Sequence, residues 1–175
     1  AFGIRAVTVP LYATSSEAQV HYILEDAGIR YLFVGEQQQY DVAFRVMALS
    51  STLKQIVVFD RDVKLDARDE TTIYMDDFLA KAKDCQHQAE VDKRTAESQK
   101  DDLMNILYTS GTTGESKGVM LSHSAYESVM DAHMERFPGF DDKDVVINFL
   151  PFTHVFERAF SCWCLCVGAE MNINL

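Results

Sequence analysis

The chain has 175 residues, 47% of them hydrophobic and 25% charged, with 16 Lys+Arg against 27 Asp+Glu for a formal charge of −11. This is a globular composition, long enough for one domain with a real core. It excludes a general nucleic-acid binder, which needs a basic face, but leaves room for a nucleotide pocket built from backbone amides and one Lys.

Residues 4–9 read as a strand, with Ala6-Val7-Thr8-Val9 β-rich and Pro10 ending the run. Thr14-Ser15-Ser16-Glu17 offers a capping box for a helix that places Val20, Ile23, Leu24 and Ala27 on one face, and Gly28 suits its C′ position. Tyr31-Leu32-Phe33-Val34 is a short strand. A helix over about 37–49, with Tyr40, Phe44 and Met47 at helical spacing, leads to a strand at Ile56-Val57-Val58-Phe59. The alternation over 1–59 predicts a β-α-β-α-β unit with a parallel sheet.

Residues 60–102 are charged and read as an acidic surface insert, with a short helix near 76–84 anchored by Phe78 and Leu79. Order returns at Leu103-Met104-Asn105-Ile106-Leu107-Tyr108, a buried strand, followed by a Gly/Thr/Ser turn over 109–116 and a hairpin strand at Gly118-Val119-Met120-Leu121. Ser124-Ala125-Tyr126-Glu127 is a second capping box, opening a helix to about Phe137, with His123 as a turn residue before it. Residues 145–150 read as a strand, about 156–168 as an apolar helix, and 170–175 as a last strand. The fold class expected is α/β, a mostly parallel sheet covered by helices. Because strand material lies at both ends, a piece of a larger domain is expected.

The chemistry concentrates in Tyr108-Thr109-Ser110-Gly111-Thr112-Thr113-Gly114-Glu115-Ser116-Lys117-Gly118. Gly lets backbone amides approach an anion, hydroxyls donate further hydrogen bonds, and Lys117 adds a point charge, so a triphosphate is the natural guest. A Walker loop fails. Counting from Gly111, Ser116 stands where its second Gly belongs and Gly118 where its Ser/Thr must hold magnesium.

The loop resembles the phosphate-binding signature of the adenylate-forming superfamily, which includes acyl-CoA synthetases, luciferases and peptide-synthetase adenylation domains. It departs only at Ser116, where proline is usual. Two further stretches resemble the same family. Ala6-Val7-Thr8-Val9-Pro10-Leu11-Tyr12-Ala13-Thr14-Ser15 is similar to a segment of its acyl-CoA synthetases. Leu150-Pro151-Phe152-Thr153-His154-Val155-Phe156-Glu157-Arg158 is similar to its substrate-pocket motif, with the Glu-Arg ending of long-chain fatty acyl-CoA synthetases.

The resemblance implies part of the large N-terminal domain of such an enzyme, one that joins a fatty acid to CoA through an acyl-adenylate. ATP, Mg2+ and CoA would be its cofactor and co-substrates. It carries phosphate contacts onto Thr109, Ser110, Gly111, Thr112, Thr113, Gly114 and Lys117, a magnesium-holding role onto Thr109, and a place beside the reacting carboxylate onto His154. It also implies that a Thr-Glu motif completing the magnesium site, a ribose-binding Asp and a catalytic Lys fall past residue 175. The 175 residues alone are therefore expected to be inactive. An adenylation enzyme for an aryl or amino acid, and a non-catalytic nucleotide-binding piece, are the alternatives.

The four Cys, at 85, 162, 164 and 166, match no disulfide or zinc pattern. On a helix 162 and 166 share a face while 164 points elsewhere, so the three cannot close on one ion and a buried helix is expected. No apolar run approaches the roughly 20 residues of a membrane span. Cytoplasmic residence is expected, with peripheral membrane contact for a long-chain enzyme.

Overall fold

The computed structural model describes residues 1–109 and 116–173. The chain divides into two compact units, one formed by Leu11–Glu90 and the other by Ala1–Pro10 together with Val91–Leu175.

In the Leu11–Glu90 unit, α1 (Glu17–Asp26), β1 (Tyr31–Val34), α2 (Gln37–Met47), β2 (Gln55–Val58), β3 (Ile73–Tyr74) and α3 (Met75–Ala80) follow in order. The three strands form one sheet in the order β1-β2-β3, both pairs parallel. Alternation along β1 buries Leu32 and Val34 and leaves Tyr31 and Phe33 outward. The central β2 is flanked on both sides, and Ile56, Val57 and Val58 are all fully buried.

One face of this sheet packs on Val20 and Leu24 of α1 and Tyr40, Ala43 and Val46 of α2. On the other face Phe33 meets Phe59 and, edge to face at 5.8 Å, Phe78 of α3. Phe78 is thus an anchor as expected. Leu79 is not; it is exposed.

The N-cap of α1 is Ser16, whose Oγ accepts from Gln19 N while the Gln19 side chain accepts from Ser16 N. The capping box therefore stands two residues later than expected, because Ser15 N already closes a turn onto the Tyr12 carbonyl. Gly28 does take the left-handed conformation, at φ 63°, that ends this helix cheaply.

The acidic stretch 60–102 is less uniform than its composition. Val63 is 2% exposed and belongs to the core, and β3 adds a strand to the sheet. From 79 to 100 every side chain but the half-buried Val91 is exposed, across α4 (Gln88–Ala96).

In the other unit, β4 (Leu103–Thr109) and β5 (Lys117–Ser122) form an antiparallel hairpin. After it come α5 (His123–Arg136), β6 (Val145–Asn148), α6 (Val155–Val167) and β7 (Glu170–Ile173), with β6 and β7 parallel. Residues 174–175, the end of the expected last strand, lie outside the described residues. Met104, Tyr126 and Ala159 join β4, α5 and α6 in one apolar cluster. Trp163, Cys164 and Ala169 form a second, where Phe140 stacks on Trp163 at 4.3 Å.

The first expected strand is reduced to a single parallel bridge, Thr8 to Asn105. A 3₁₀ turn at Phe2–Ile4 and a left-handed Arg5, φ 58°, consume the residues before it, and Pro10 closes the run after it. This segment pairs with β4, not with β1, so the sheet expected over 1–59 lacks its first strand. The N-cap of α5 is Ser122, accepting from Ala125 N, rather than Ser124. Glu127, the expected partner in that box, is drawn away by Lys100 Nζ at 2.7 Å. His123 is accordingly the first residue of the helix, not a turn residue, and its ring meets Phe2 edge to face.

Candidate functional site: the β4–β5 hairpin and the turn before α6

The hairpin brings the two ends of the Gly/Ser/Thr loop together. Thr109, last in β4, stands directly opposite Lys117, first in β5, and Tyr108 stands opposite Gly118. Residues directly opposite in an antiparallel pair project from the same face. The side chains of Thr109 and Lys117 therefore leave the same face at the base of the loop, and both residues are exposed. Among the described residues Lys117 makes no ion pair. Ser110, Gly111, Thr112, Thr113 and Gly114, the other candidate phosphate contacts, lie outside the described residues.

Gly118 is required by close approach. A Cβ there would sit 2.8 Å from Ile106 Cγ2 and 3.1 Å from Tyr108 Cζ. The side chains of β4 fold across the glycine and brace the strand that carries Lys117.

Deeper in the unit, β4 is fastened from three directions. At its start, Asp102 accepts from Arg5 Nη2 at 2.8 Å. The pairing shifts between Leu103 and Asn105, which makes Met104 the extra residue of a bulge, and the Met104 carbonyl accepts Thr8 N–H at 3.2 Å. The fully buried Asn105 donates through Nδ2 to the Tyr126 hydroxyl of α5.

The second candidate region is the turn from β6 into α6. His154 is exposed and acts as N-cap, its Nδ1 accepting from Phe156 N at 3.2 Å. The turn is clamped from both sides. Glu157, only 3% exposed, accepts from Asn148 Nδ2 at the end of β6 and from Ser161 Oγ at 3.2 Å. Arg158 donates through Nη1 to the Phe152 carbonyl and through Nη2 to Thr8 Oγ1, both at 3.1 Å. Thr8 is itself bonded to β4, so Arg158 links the Phe152–His154 turn to the strand that leads into the loop. Arg158 thus holds the backbone of the turn, and Glu157 ties the Asn148 and Ser161 side chains together.

Asn105 and Asn148 were not among the sequence candidates. The available signal was an Asn inside an otherwise apolar strand run, a position where burial demands a hydrogen-bond partner. Phe156 is exposed, as are Leu165 and Cys166, so α6 is buried on one side only.

An oxygen donor such as the Thr109 hydroxyl suits a hard cation. Among the described residues no three His, Cys, Asp or Glu side chains come together as a metal site.

The chain is 31% identical over 175 residues to long chain acyl-CoA synthetase 5 of Arabidopsis thaliana, covering 94% of this chain and 25% of that protein. It is 31% identical over 177 residues to long-chain-fatty-acid–CoA ligase 6 of Homo sapiens, covering 95% of this chain and 24% of the relative. It thus spans about a quarter of the length of these relatives. Its fold is similar to the Mycobacterium tuberculosis fatty acyl CoA synthetase, with TM-score 0.67 and 21% identity over 97% of this chain and 29% of the other. It is also similar to a red-emitting luciferase from Phrixothrix hirtus, with TM-score 0.68 and 15% identity over 97% of this chain and 31% of the other. The family model of the AMP-binding enzymes matches residues 1–174, so the chain belongs to that family.

Proposed function

We propose that the chain is the phosphate-gripping part of an ATP-dependent long-chain fatty acid–CoA ligase. The observation that carries this reading is the opposed pair Thr109 and Lys117, which starts a hydroxyl-bearing and a cationic side chain from one face at the base of a loop rich in Gly, Ser and Thr. The long-chain relatives support the substrate class.

In the proposed reaction a fatty-acid carboxylate oxygen bonds to the α-phosphorus of ATP as the bond to pyrophosphate breaks. The thiol of CoA then attacks the acyl carbon, loses its proton, and releases AMP. Lys117 and the loop residues Ser110, Gly111, Thr112, Thr113 and Gly114 bind the phosphates and orient the leaving group. Donors fixed in place before reaction neutralise developing charge without reorganising, and the paired strands β4 and β5 hold the two ends of the loop together. Thr109 would hold the magnesium ion, which when bound neutralises phosphate charge. His154 lies in the turn assigned to the acyl side. The free thiols, Cys85 among them, fit a cytoplasmic protein, and no described helix is long and apolar enough to cross a membrane.

The test is ATP–pyrophosphate exchange by the protein carrying the complete family domain. Fatty acids should drive exchange, with acetate, benzoate and amino acids far weaker. Lys117→Ala should slow adenylate formation by about 2–3 kcal/mol, the range of one lost transition-state donor, or roughly 30–150-fold. Undiminished exchange in that variant would refute the loop assignment, and a preference for an amino acid or benzoate would move the protein to another branch of the family.

A further inference from the structure

Two sulfur atoms meet between α5 and α6, and a third cysteine lies one helical turn away on α6. Cys166 Sγ donates a hydrogen bond to Met130 Sδ at 3.6 Å. Cys162 stands one helical turn before Cys166, and residues four apart on a helix carry Cβ atoms about 5–6 Å apart on one face. Cys162 and Met130 pack against the same apolar cluster. Both cysteines are free thiols, Cys166 exposed and Cys162 half-buried. The spacing on α6 alone could supply two donors; the third comes from the facing helix and is visible only in the folded chain.

We propose that Cys162, Cys166 and Met130 form a binding site for a soft monovalent d¹⁰ cation of the Cu(I) or Ag(I) type. Thiolate and thioether sulfurs select such ions over harder ones. Two sulfurs each about 2.3 Å from a shared ion lie roughly 3.8–4.0 Å apart. The 3.6 Å between Cys166 Sγ and Met130 Sδ is close to that already. The S–H···S hydrogen bond is the protonated counterpart of a bridge in which the cation replaces the proton.

The donor count argues for the same class of ion. Structural zinc takes four ligands, whereas the sulfur set here is three. Among the described residues no trio of His, Cys, Asp or Glu is available to make up a zinc site. Binding must displace the thiol protons. Arg158 stands four residues before Cys162 on α6, and its positive charge would offset the negative charge left by two thiolates around one monovalent ion. The bound ion would staple α5 to α6.

The experiment uses the reduced chain and Ag(I) as the probe, in the presence of excess glutathione. Native mass spectrometry reads stoichiometry, and ultraviolet thiolate-to-metal absorption reads ligation. One Ag(I) per chain should be retained. Cys162→Ser with Cys166→Ser should abolish retention, and Cys85→Ser should leave it unchanged. Met130→Leu, a volume-conserving change, should weaken it by no less than the ~10–100-fold that loss of a mere outer-shell partner costs. Emission from Trp163, the chain's one tryptophan, confirms that each variant is folded. Three results would overturn the proposal: glutathione stripping the ion from the unaltered chain, Met130→Leu binding as tightly as the original, or Zn(II) being retained in preference to Ag(I).

Discussion

Gly118 shows how much one residue can decide. It lies in extended strand, so its role is space, not a special dihedral, and any side chain would meet Ile106 and Tyr108. Gly118→Ala should destabilise the hairpin by about 1–3 kcal/mol, the usual cost of overpacking. Urea unfolding followed by Trp163 emission should show it, and an unchanged midpoint would mean the two side chains swing aside freely. Glu25 is a second single-residue case, in the Leu11–Glu90 unit. Hydrogen bonds from Ser50 and then Ser51 lower its carboxyl to about 2 from an ordinary 4.5. A carboxyl held lower in the folded state stabilises it above the unfolded value and loses that contribution as pH falls through the folded one. Stability should therefore decline from about pH 5 towards pH 2, and Glu25→Gln should flatten that decline. The check is the urea midpoint by far-ultraviolet circular dichroism across that range, and a decline as steep in the variant would remove Glu25 from the account.

At the scale of elements, caps and clamps carry the argument. Ser16→Ala removes the side-chain acceptor for Gln19 N and should cost about 1 kcal/mol, typical of a lost N-cap. Thr14→Ala should cost little, although the sequence pattern favours Thr14 as the cap. Equal effects would return the cap to Thr14. The turn before α6 depends on Glu157, whose carboxylate is the buried acceptor for Asn148 Nδ2 and Ser161 Oγ. Glu157→Ala should cost about 1–3 kcal/mol through donors left without an acceptor, before any cavity is counted. Trp163 emission in urea measures this as well.

For the whole molecule the question is how much a phosphate loop can do alone. Charge-assisted hydrogen bonds contribute roughly 1.5–3 kcal/mol each and must offset the ordering of loop and ligand. The chain is about a quarter of the length of its relatives. The 175 residues by themselves are expected to bind Mg-ATP at about millimolar strength, near −4 kcal/mol, and to make no acyl-adenylate. Calorimetry with Mg-ATP tests this; micromolar binding would show that these residues build more of the nucleotide site than the hairpin loop. A second property belongs to this scale. Val145 and Ile147 share the outer face of β6, both more than 60% exposed, and Phe149 beyond them is 71% exposed. Apolar strand faces of this kind favour association, so light scattering from the isolated chain should rise with concentration, and Ile147→Lys should reduce it.

Much was legible in the sequence where the information is local. A short apolar run placed β1 at 31–34, periodicity placed the helices α1 and α2, Gly28 marked a helix end, and the loop motif pointed to the family. Each of these depends on a few adjacent residues, because dihedral preference and amphipathic spacing act over one or two turns. What the tertiary structure decided is non-local. Thr8 pairs with Asn105 on β4, Val63 from a charged run enters the core, and Arg158 reaches back to Thr8. The capping oxygen moved to Ser16 and Ser122, the second where Lys100 claimed the expected partner Glu127. A strand's edge groups and a buried side chain's polar atoms take whichever partners the packed chain brings within reach, and that choice is made by burial across sequence separations no local pattern records.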